Sequence, residues 1–461
     1  MLVEGATGIP AEETPAQTEE FTRIVLEVPI RERYPLPPLP EPYGNAVGHS
    51  MKHPSGMPAL AERLHKLHPH LLDGAGKAAD ERLSVIPSTF VHDISGHDFD
   101  ELETPSFLFL ESTASDLFQR AAALAVRVST PAAEVVNAYS IKTNPDARLI
   151  KHALDSGFLA EAISLLEVRK ALEVGFKAEQ VILTGPGKWW PPGLLPNEPM
   201  HAVFCDSLAD LQRVTAAARR DQLRAHVFGV RLRTPHIASR FGIPLNTPQE
   251  FRELLEGIQL LPGDSKFGIH FHMASSHVGV GQWWHLYRSM LRWCGSIEKL
   301  TGRRIEVLDI GGGWFPDDWH GDREEDFVQT VREARGTLPR VRQIISEPGK
   351  AMAQPTLALA MRVLEIQEIG EDSIEAVVDG SIAELPMYFF YPHRILRRDA
   401  STGELQPLKR GKTRLMGRLC MEHDEVASNV ELPEGTQPGD VLIFCDAGGY
   451  DRSMSYVFGR G

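Results

Sequence analysis

VVNAYSIKTNP, residues 135–145, reads as a buried β-strand that stops abruptly. Val135, Val136, Ala138, Tyr139 and Ile141 are apolar or aromatic, and Lys142 stands where the strand gives way to Asn144-Pro145. Proline has no N–H for a ladder, so pairing ends there. A lysine at the mouth of an apolar strand has two readings. It snorkels its ammonium into water while its stem packs, or it takes part in chemistry. The pattern around it decides between them.

Outward from this stretch, strand and helix signals alternate. FLFLESTASDLFQRAAALAVRV (107–128) reads as a strand and an amphipathic helix. VVNAYSIK is followed by the helix PDARLIKHALDSG, stopped at Gly157. FLAEAIS (158–164) follows, with a helix opened by a Ser164/Glu167 capping box and closed at Gly175. QVILTG, HAVFCDS and HVFGVRLR come next, and Thr247, Pro248 and Glu250 open the helix after them. FGIHFHMAS, EVLDIGGG and QIISEPGK complete the set. Eight near-continuous apolar runs with helices between them describe a (β/α)8 TIM-like barrel over residues 105–355. An open doubly wound sheet is the alternative. After Lys350 the alternation stops. TLALAMRVLEIQEIG, SIEAVVDGS, KTRLMGRLC and GDVLIFCDAGGY read as strands of an all-β domain, residues 356–461.

The chain has 461 residues, more than one hydrophobic core usually serves. Its formal net charge is −14 with no Lys/Arg run, which argues against nucleic acid and anionic membrane surfaces as partners. No apolar run is long enough to span a bilayer. The first 20 residues are acidic and lack the basic-then-apolar order of a secretory signal. Cys205, Cys294, Cys420 and Cys445 have neither CxxC nor metal-ligand spacing, so no metal is expected, and free thiols suit a cytoplasmic setting. Residues 1–45, rich in Glu, Thr and Pro, read as a mobile arm. Residues 46–104 read as a segment partly joining the β-domain: ALAERLHKLHPHLL (59–72) reads as a helix and STFVHDIS (88–95) as a strand.

The polar residues gather at the strand ends. Lys142 ends the first barrel strand, Glu161 and Ser164 the second, and Gly185 to Lys188 the third. His272 and Ser275 end the sixth, Gly311, Gly312 and Gly313 the seventh, and Glu347 and Lys350 the eighth. Catalytic groups of such barrels sit at the C-terminal mouth. A glycine triplet leaving a strand offers unhindered N–H groups to a phosphate, although glycine triplets also make plain turns. Ser275 adds a hydroxyl and Lys350 a positive charge. A lysine, a phosphate cradle and a carboxylate on one rim suggest pyridoxal 5'-phosphate, whose aldehyde condenses with a lysine and whose pyridine nitrogen pairs with an acid. Glu347 is the candidate acid, and His272 could lie flat on the ring. In the β-domain, Cys420, Glu422 and Asp424 form a second cluster, followed by Gly448, Gly449 and Tyr450. A lone strand cysteine is usually a small buried hydrophobe, but Cys420 stands in the polar segment RLCMEHDE.

In this order, from Pro105 to Phe458, the motifs resemble the fold-type III pyridoxal-phosphate decarboxylases, the ornithine, arginine and diaminopimelate decarboxylase family. AYSIKTNP resembles the cofactor-lysine segment, AEAIS the stretch beneath the cofactor, and HFHMASS the ring-stacking histidine with a phosphate serine. LDIGGG resembles the phosphate glycines, SEPGK the pyridine-nitrogen glutamate, GRLCMEHDEV the catalytic-cysteine segment, and GGY the phosphate-contacting tyrosine, Tyr450. The resemblance implies a two-fold homodimer with shared active sites, Cys420 reaching across to protonate the α-carbon. It implies Lys142, Cys420, His272 and Glu347 as the catalytic set. Two other readings stay open. Alanine-racemase-like enzymes share the barrel and the lysine, but resemble a pattern with arginine at the pyridine nitrogen. Non-catalytic decarboxylase-like regulators lose cofactor residues that this chain keeps.

Three departures bear on the substrate. Lys350 replaces the arginine of EPGR, a point charge for a planar fork. Pro392 and Met421 stand where ornithine decarboxylases resemble a pattern with acids for the distal amine. Neither can accept a hydrogen bond, so a free distal ammonium would lie buried and unpaired. Arg418 could meet a substrate carboxylate, or pair with Glu422 or Asp424. The expected substrate is an amino acid whose far end is neutral or carries carboxylates, such as diaminopimelate or a citryl-diamino acid of siderophore type.

Overall fold

The computed structural model describes residues 88–188, 195–233, 239–273, 280–314, 324–369, 373–388, 390–391 and 393–459. The expected arm (1–45), the expected helix at 59–72, Ser275 and Pro392 lie outside the described residues. Residues 88–95 form a helix, α1 (Ser88–Ser95), where alternation suggested a strand. Phe90 and Ile94, four apart, pack with Phe99 against Leu108, Leu396 and Val441, so the period in use is 3.6 and not 2. The first strand, β1 (Ser106–Phe109), pairs antiparallel with β11 (Leu357–Glu368). It therefore belongs to the second sheet, and the barrel boundary expected at residue 105 moves past it. Helix α2 (Glu111–Val128) leads back to the barrel.

The barrel strands are β2 (Glu134–Ser140), β3 (Leu159–Ala162), β4 (Val181–Leu183), β5 (Met200–Cys205), β6 (Ala225–Arg233), β8 (Lys266–Phe271), β9 (Ile305–Asp309) and β10 (Gln343–Ser346). Each pairs in parallel with its neighbour, and β2–β10 and β5–β6 pairing closes the ring. A two-residue strand, β7 (Ile243–Pro244), adds to β6. The expected eight-stranded barrel is thus present, and the open sheet is excluded by closure.

Period two explains which residues face where. Ala138, Leu159, Ile182, Ala202, Phe204, Val227, Val307 and Ile345 form a cluster inside the barrel. Val135, Tyr139 and Ile141 join the larger cluster under the helices. The helices between the barrel strands are α3 (Ala147–Asp155), α4 (Leu165–Val174), α5 (Leu208–Arg219), α6 (Pro248–Leu260), α7 (Val280–Thr301) and α8 (Glu324–Thr337), and two of them open as the sequence indicates. In α4 Ser164 is the N-cap, and in α6 Thr247 and Glu250 form a reciprocal box. The first box is displaced by one residue: Glu167 accepts from the N–H of Ile163, 2.8 Å, instead of Ser164. Gly175 closes α4 with φ +117°, a conformation glycine adopts without cost.

After β10 a short helix, α9 (Gly349–Ala353), leads into the β-domain. Its strands are β11, β12 (Ile374–Val378), β13 (Ile395–Arg398), β14 (Leu405–Pro407), β15 (Lys409–Met416), β16 (Glu425–Glu431) and β17 (Val441–Phe444). With β1 they form an eight-stranded sheet, antiparallel except for β12–β15. Leu359, Met361, Val378, Leu415, Leu442 and Phe444 centre its own core. A last helix, α10 (Asp451–Met454), follows the Gly448–Tyr450 turn.

Candidate active site

Lys142 sits in a single 3-10 turn, Ile141–Thr143, directly beyond β2. Its Nζ lies 2.5 Å from Glu161 Oε2 and 2.7 Å from Ser140 Oγ. Ser140 and Glu161 face each other across the β2–β3 register, and Ser140 donates to the same carboxylate. Glu161 is fully buried. Burial opposes the Lys142 charge, but Glu161, Glu347 and Tyr450 outweigh it and raise the ammonium pKa. The lysine is therefore held as a cation among carboxylates at the barrel mouth.

Glu347, just past β10, is buried beside two histidines: His270 Nε2 at 3.7 Å and His272 Nδ1 at 3.9 Å from its Oε2. Burial pushes the Glu347 carboxyl up, yet His270, His272 and Lys142 hold it below the carboxylate range. Asp309 at the end of β9 moves the other way, driven up by burial and by Glu347. Of this carboxyl pair, Glu347 is the anion and Asp309 carries the proton. Burial pushes the His270 imidazole down, with Glu347 opposing.

The glycine triplet lies against the same acid. A Cβ on Gly311 would come within 2.6 Å of the Phe271 carbonyl oxygen, and one on Gly312 would overlap that of Glu347. Gly311 and Gly313 have φ of +71° and +90°. The Gly312 N–H donates to His272 Nδ1, 3.0 Å. The Gly448–Tyr450 turn wedges in from the β-domain. Tyr450 N–H donates to the Thr143 carbonyl, 3.0 Å, and Asn144 Nδ2 to the Gly448 carbonyl, 2.9 Å. A Cβ on Gly449 would meet Lys350 Cγ at 3.4 Å, so that lysine also borders the turn.

The structure thus gathers Lys142, Glu161, His272, Gly311, Gly312, Glu347, Lys350 and Tyr450. Ser164 serves as the α4 cap, its Oγ accepting from the Glu167 N–H. The Cys420 cluster separates by burial. Cys420 and Glu422 are exposed and Met421 half-buried, while Asp424 is buried, accepting from the N–H groups of Ile382 and Leu419. Asp424 is therefore a brace of its own loop and offers no oxygen to a substrate. Arg418 pairs with Glu384, 2.9 Å, and donates to the Asp379 carbonyl. Its fork is occupied from within the chain, by neither Glu422 nor Asp424, and the distance between residues 384 and 418 hid this partner. Ser140, His270 and Asp309 were not singled out from sequence. Ser140 is adjacent to the lysine turn, and Asp309 immediately precedes Ile310-Gly311, so inward-facing polar residues at strand ends are the signal that finds them. Lys188, from the third strand end, is buried and paired with Asp210 at 2.5 Å.

The pyridoxal-binding domain model of the pyridoxal-dependent decarboxylases matches residues 118–354. The chain belongs to this family. It is 29% identical over 340 residues to the probable chloroplastic diaminopimelate decarboxylase of Oryza sativa, covering 69% of this chain and 66% of that protein, just under two thirds of its length. It is 22% identical to the L-glutamyl-[BtrI acyl-carrier protein] decarboxylase of Niallia circulans, over 69% of this chain and 78% of that one. The diaminopimelate decarboxylase structure from M. jannaschii shares the fold, with TM-score 0.66 at 18% identity over 78% of this chain and 85% of that one.

The residues present suit the pyridoxal phosphate of the family. Glu347 Oε1 and Glu161 Oε1 are buried oxygens without a hydrogen-bond partner among the described residues. The first is an unclaimed acceptor that a pyridine N–H would satisfy. Lys142, the glycine turn, Lys350 and Tyr450 surround one mouth, with an amine for the aldehyde and donors for a phosphate.

Proposed function

We propose that this pyridoxal-phosphate decarboxylase acts on an amino acid whose far end is neutral, as when acylated, or carries carboxylates. The observation that carries the catalytic part is the opposition of Lys142 and the anionic Glu347 at one barrel mouth, Glu161 holding the amine. Pyridoxal phosphate, when bound, supplies an electron-poor ring that accepts the charge left as a carboxylate departs as carbon dioxide. Glu347 Oε1 would accept the pyridine N–H and, as an anion, keep that proton in place. Lys142 and His272 favour the Glu347 anion. Lys142 Nζ would bind the aldehyde and take it back at product release, with Glu161 and Ser140 orienting it. Cys420 Sγ would deliver the proton to the α-carbon.

Cys420 is exposed on the β-domain, and so are the large apolar side chains of Phe390, Met454, Val457 and Phe458, of which Val457 is 82% exposed. Exposed apolar residues of this size support a second copy of the chain as their cover, with sites shared between subunits.

The far-end reading is supported by Met421, whose thioether is only a weak acceptor and carries no charge to pair with an ammonium. The Niallia relative, named for a glutamyl group on a carrier protein, is a precedent for a masked far end. With Arg418 committed to Glu384, a substrate carboxylate would need another partner. The test compares kcat/KM for lysine, ornithine, diaminopimelate, citryl-diaminopropionate and a glutamyl thioester. Masked or carboxylated substrates should lead by at least about tenfold. Arg418→Ala should lower stability, because it strands the buried Glu384 carboxylate, without reordering the substrates. Lysine or ornithine turning over at on the order of 10⁴ M⁻¹s⁻¹ or above would refute the far-end reading.

A further inference from the structure

Beside the Gly448–Tyr450 turn lies a buried cluster that the decarboxylation steps do not use. Asp451 is fully buried. Its Oδ1 accepts the Met387 N–H at 3.0 Å. Its Oδ2 lies 3.0 Å from the Tyr391 hydroxyl and 3.5 Å from His393 Nε2. The Tyr391 hydroxyl also touches the Gly449 carbonyl. His393 Nδ1 lies 2.9 Å from the Cys445 carbonyl, and its Nε2 is buried without a hydrogen-bond partner among the described residues.

A carbonyl oxygen only accepts, so Cys445 requires the proton on His393 Nδ1. The Gly449 carbonyl requires the one proton of Tyr391. The Tyr391 oxygen must then accept from Asp451, and an ionised carboxylate has nothing to donate. With Asp451 protonated, the chain runs Asp451 O–H to Tyr391 O–H to the Gly449 carbonyl, and both contacts of the Tyr391 hydroxyl are hydrogen bonds. With Asp451 ionised, Tyr391 turns its proton to the carboxylate and the Gly449 carbonyl loses its donor.

We propose that Asp451 is a positioning residue whose proton, relayed through Tyr391, fastens the Gly448–Tyr450 turn against the Lys142 loop, and whose deprotonation loosens it. The turn is already tied there by Tyr450 N–H and Asn144 Nδ2, and Ser453 Oγ adds a bond to the Thr143 carbonyl, 3.1 Å. Tyr450 itself is held at φ +72°, where a non-glycine residue stays only if its surroundings impose it. Burial moves the Asp451 carboxyl up to about 6, with His393, Met387 and Tyr391 opposing. Among the described residues, the other titratable groups near the relay are Asp446, which acts on Tyr391 and is paired with Arg394 at 2.7 Å, and Tyr450.

The inference rests on the reading that this turn borders the bound cofactor. The measurement is the release rate of pyridoxal phosphate from the holoenzyme, followed by absorbance between pH 5 and 8, for wild type, D451N and Y391F. Asparagine presents the same Oδ1 acceptor to Met387 and an N–H to Tyr391 at every pH, so D451N mimics the protonated state. The wild-type to D451N rate ratio should rise from near one at pH 5 to roughly five- to tenfold at pH 8, the worth of about one hydrogen bond. Y391F should release fast throughout, matching wild type only at pH 8. A ratio independent of pH, or Y391F equal to wild type at pH 5, overturns the proposal. Borohydride reduction with peptide mapping separates the two readings. A pyridoxyl group on Lys142 with a flat ratio sinks the relay alone. No label on Lys142 sinks the cofactor assignment, and amide exchange at Gly449 and Tyr450 in wild type against D451N then tests the relay.

Discussion

Glu167 illustrates how a single side chain at this mouth couples structure to pH. Its carboxyl accepts the Ile163 N–H, and burial raises it to about 7 from 4.5, with Glu161 adding to the shift and Lys142 opposing it. The neutral form is the one favoured by the fold. Its stabilisation is fully present below pH 4.5 and disappears as pH rises through 7. Glutamine keeps an acceptor for Ile163 but cannot ionise. Between pH 4 and 8, wild type should lose about 3 kcal/mol of stability relative to Glu167→Gln, measured by denaturant unfolding at both ends. Equal stability differences at the two pH values would show that the carboxyl is not desolvated as described. For Glu347 the outcome concerns activity: Glu347→Gln leaves a neutral amide where an anion is needed, and kcat should fall by on the order of 10²-fold or more with the fold intact.

At the scale of elements, the site is a junction between the turn after β2 and the turn before α10. Neither closes on its own. Gly448 is packed so tightly on the end of α9 that a Cβ would overlap the Ala353 carbonyl oxygen. Its N–H donates to the Gln354 carbonyl, 3.1 Å, and its own carbonyl accepts from Asn144. Gly448→Ala must push the turn away from α9 and break both bonds. It should cost about 1–3 kcal/mol and weaken cofactor binding in parallel, read from Tm and from titration of the cofactor-free chain. Gly336, at a helix position where a Cβ meets nothing within 4 Å, is the control: Gly336→Ala should leave both unchanged or slightly improved.

For the whole molecule, the arrangement that matters is the pairing of chains. If Cys420 serves the partner's cofactor, mixtures of Lys142→Ala and Cys420→Ala chains, each inactive, will form some heterodimers with one intact site. Random exchange gives half heterodimers and one working site of two, hence about a quarter of wild-type activity. Recovery near zero, with subunit exchange demonstrated, would mean that each chain uses its own cysteine.

The alternation of apolar runs and capped helices determined the barrel, because parallel strands buried on both faces admit little polar interruption. Lys142, Glu161, the glycine triplet and Glu347 were legible for the same reason: each is an interruption at a strand end. The helix at Ser88–Ser95 was not, since eight residues with Phe90 and Ile94 four apart fit either period until packing chooses one. Tertiary structure alone decided the partners. Glu384 reaches Arg418 from 34 residues away, and Asp451 meets His393 from a different segment of the β-domain. Local pattern fixes which side chains point inward along one element. Which two of them meet, and which then holds a proton, depends on how the elements are brought together and on the water that contact excludes.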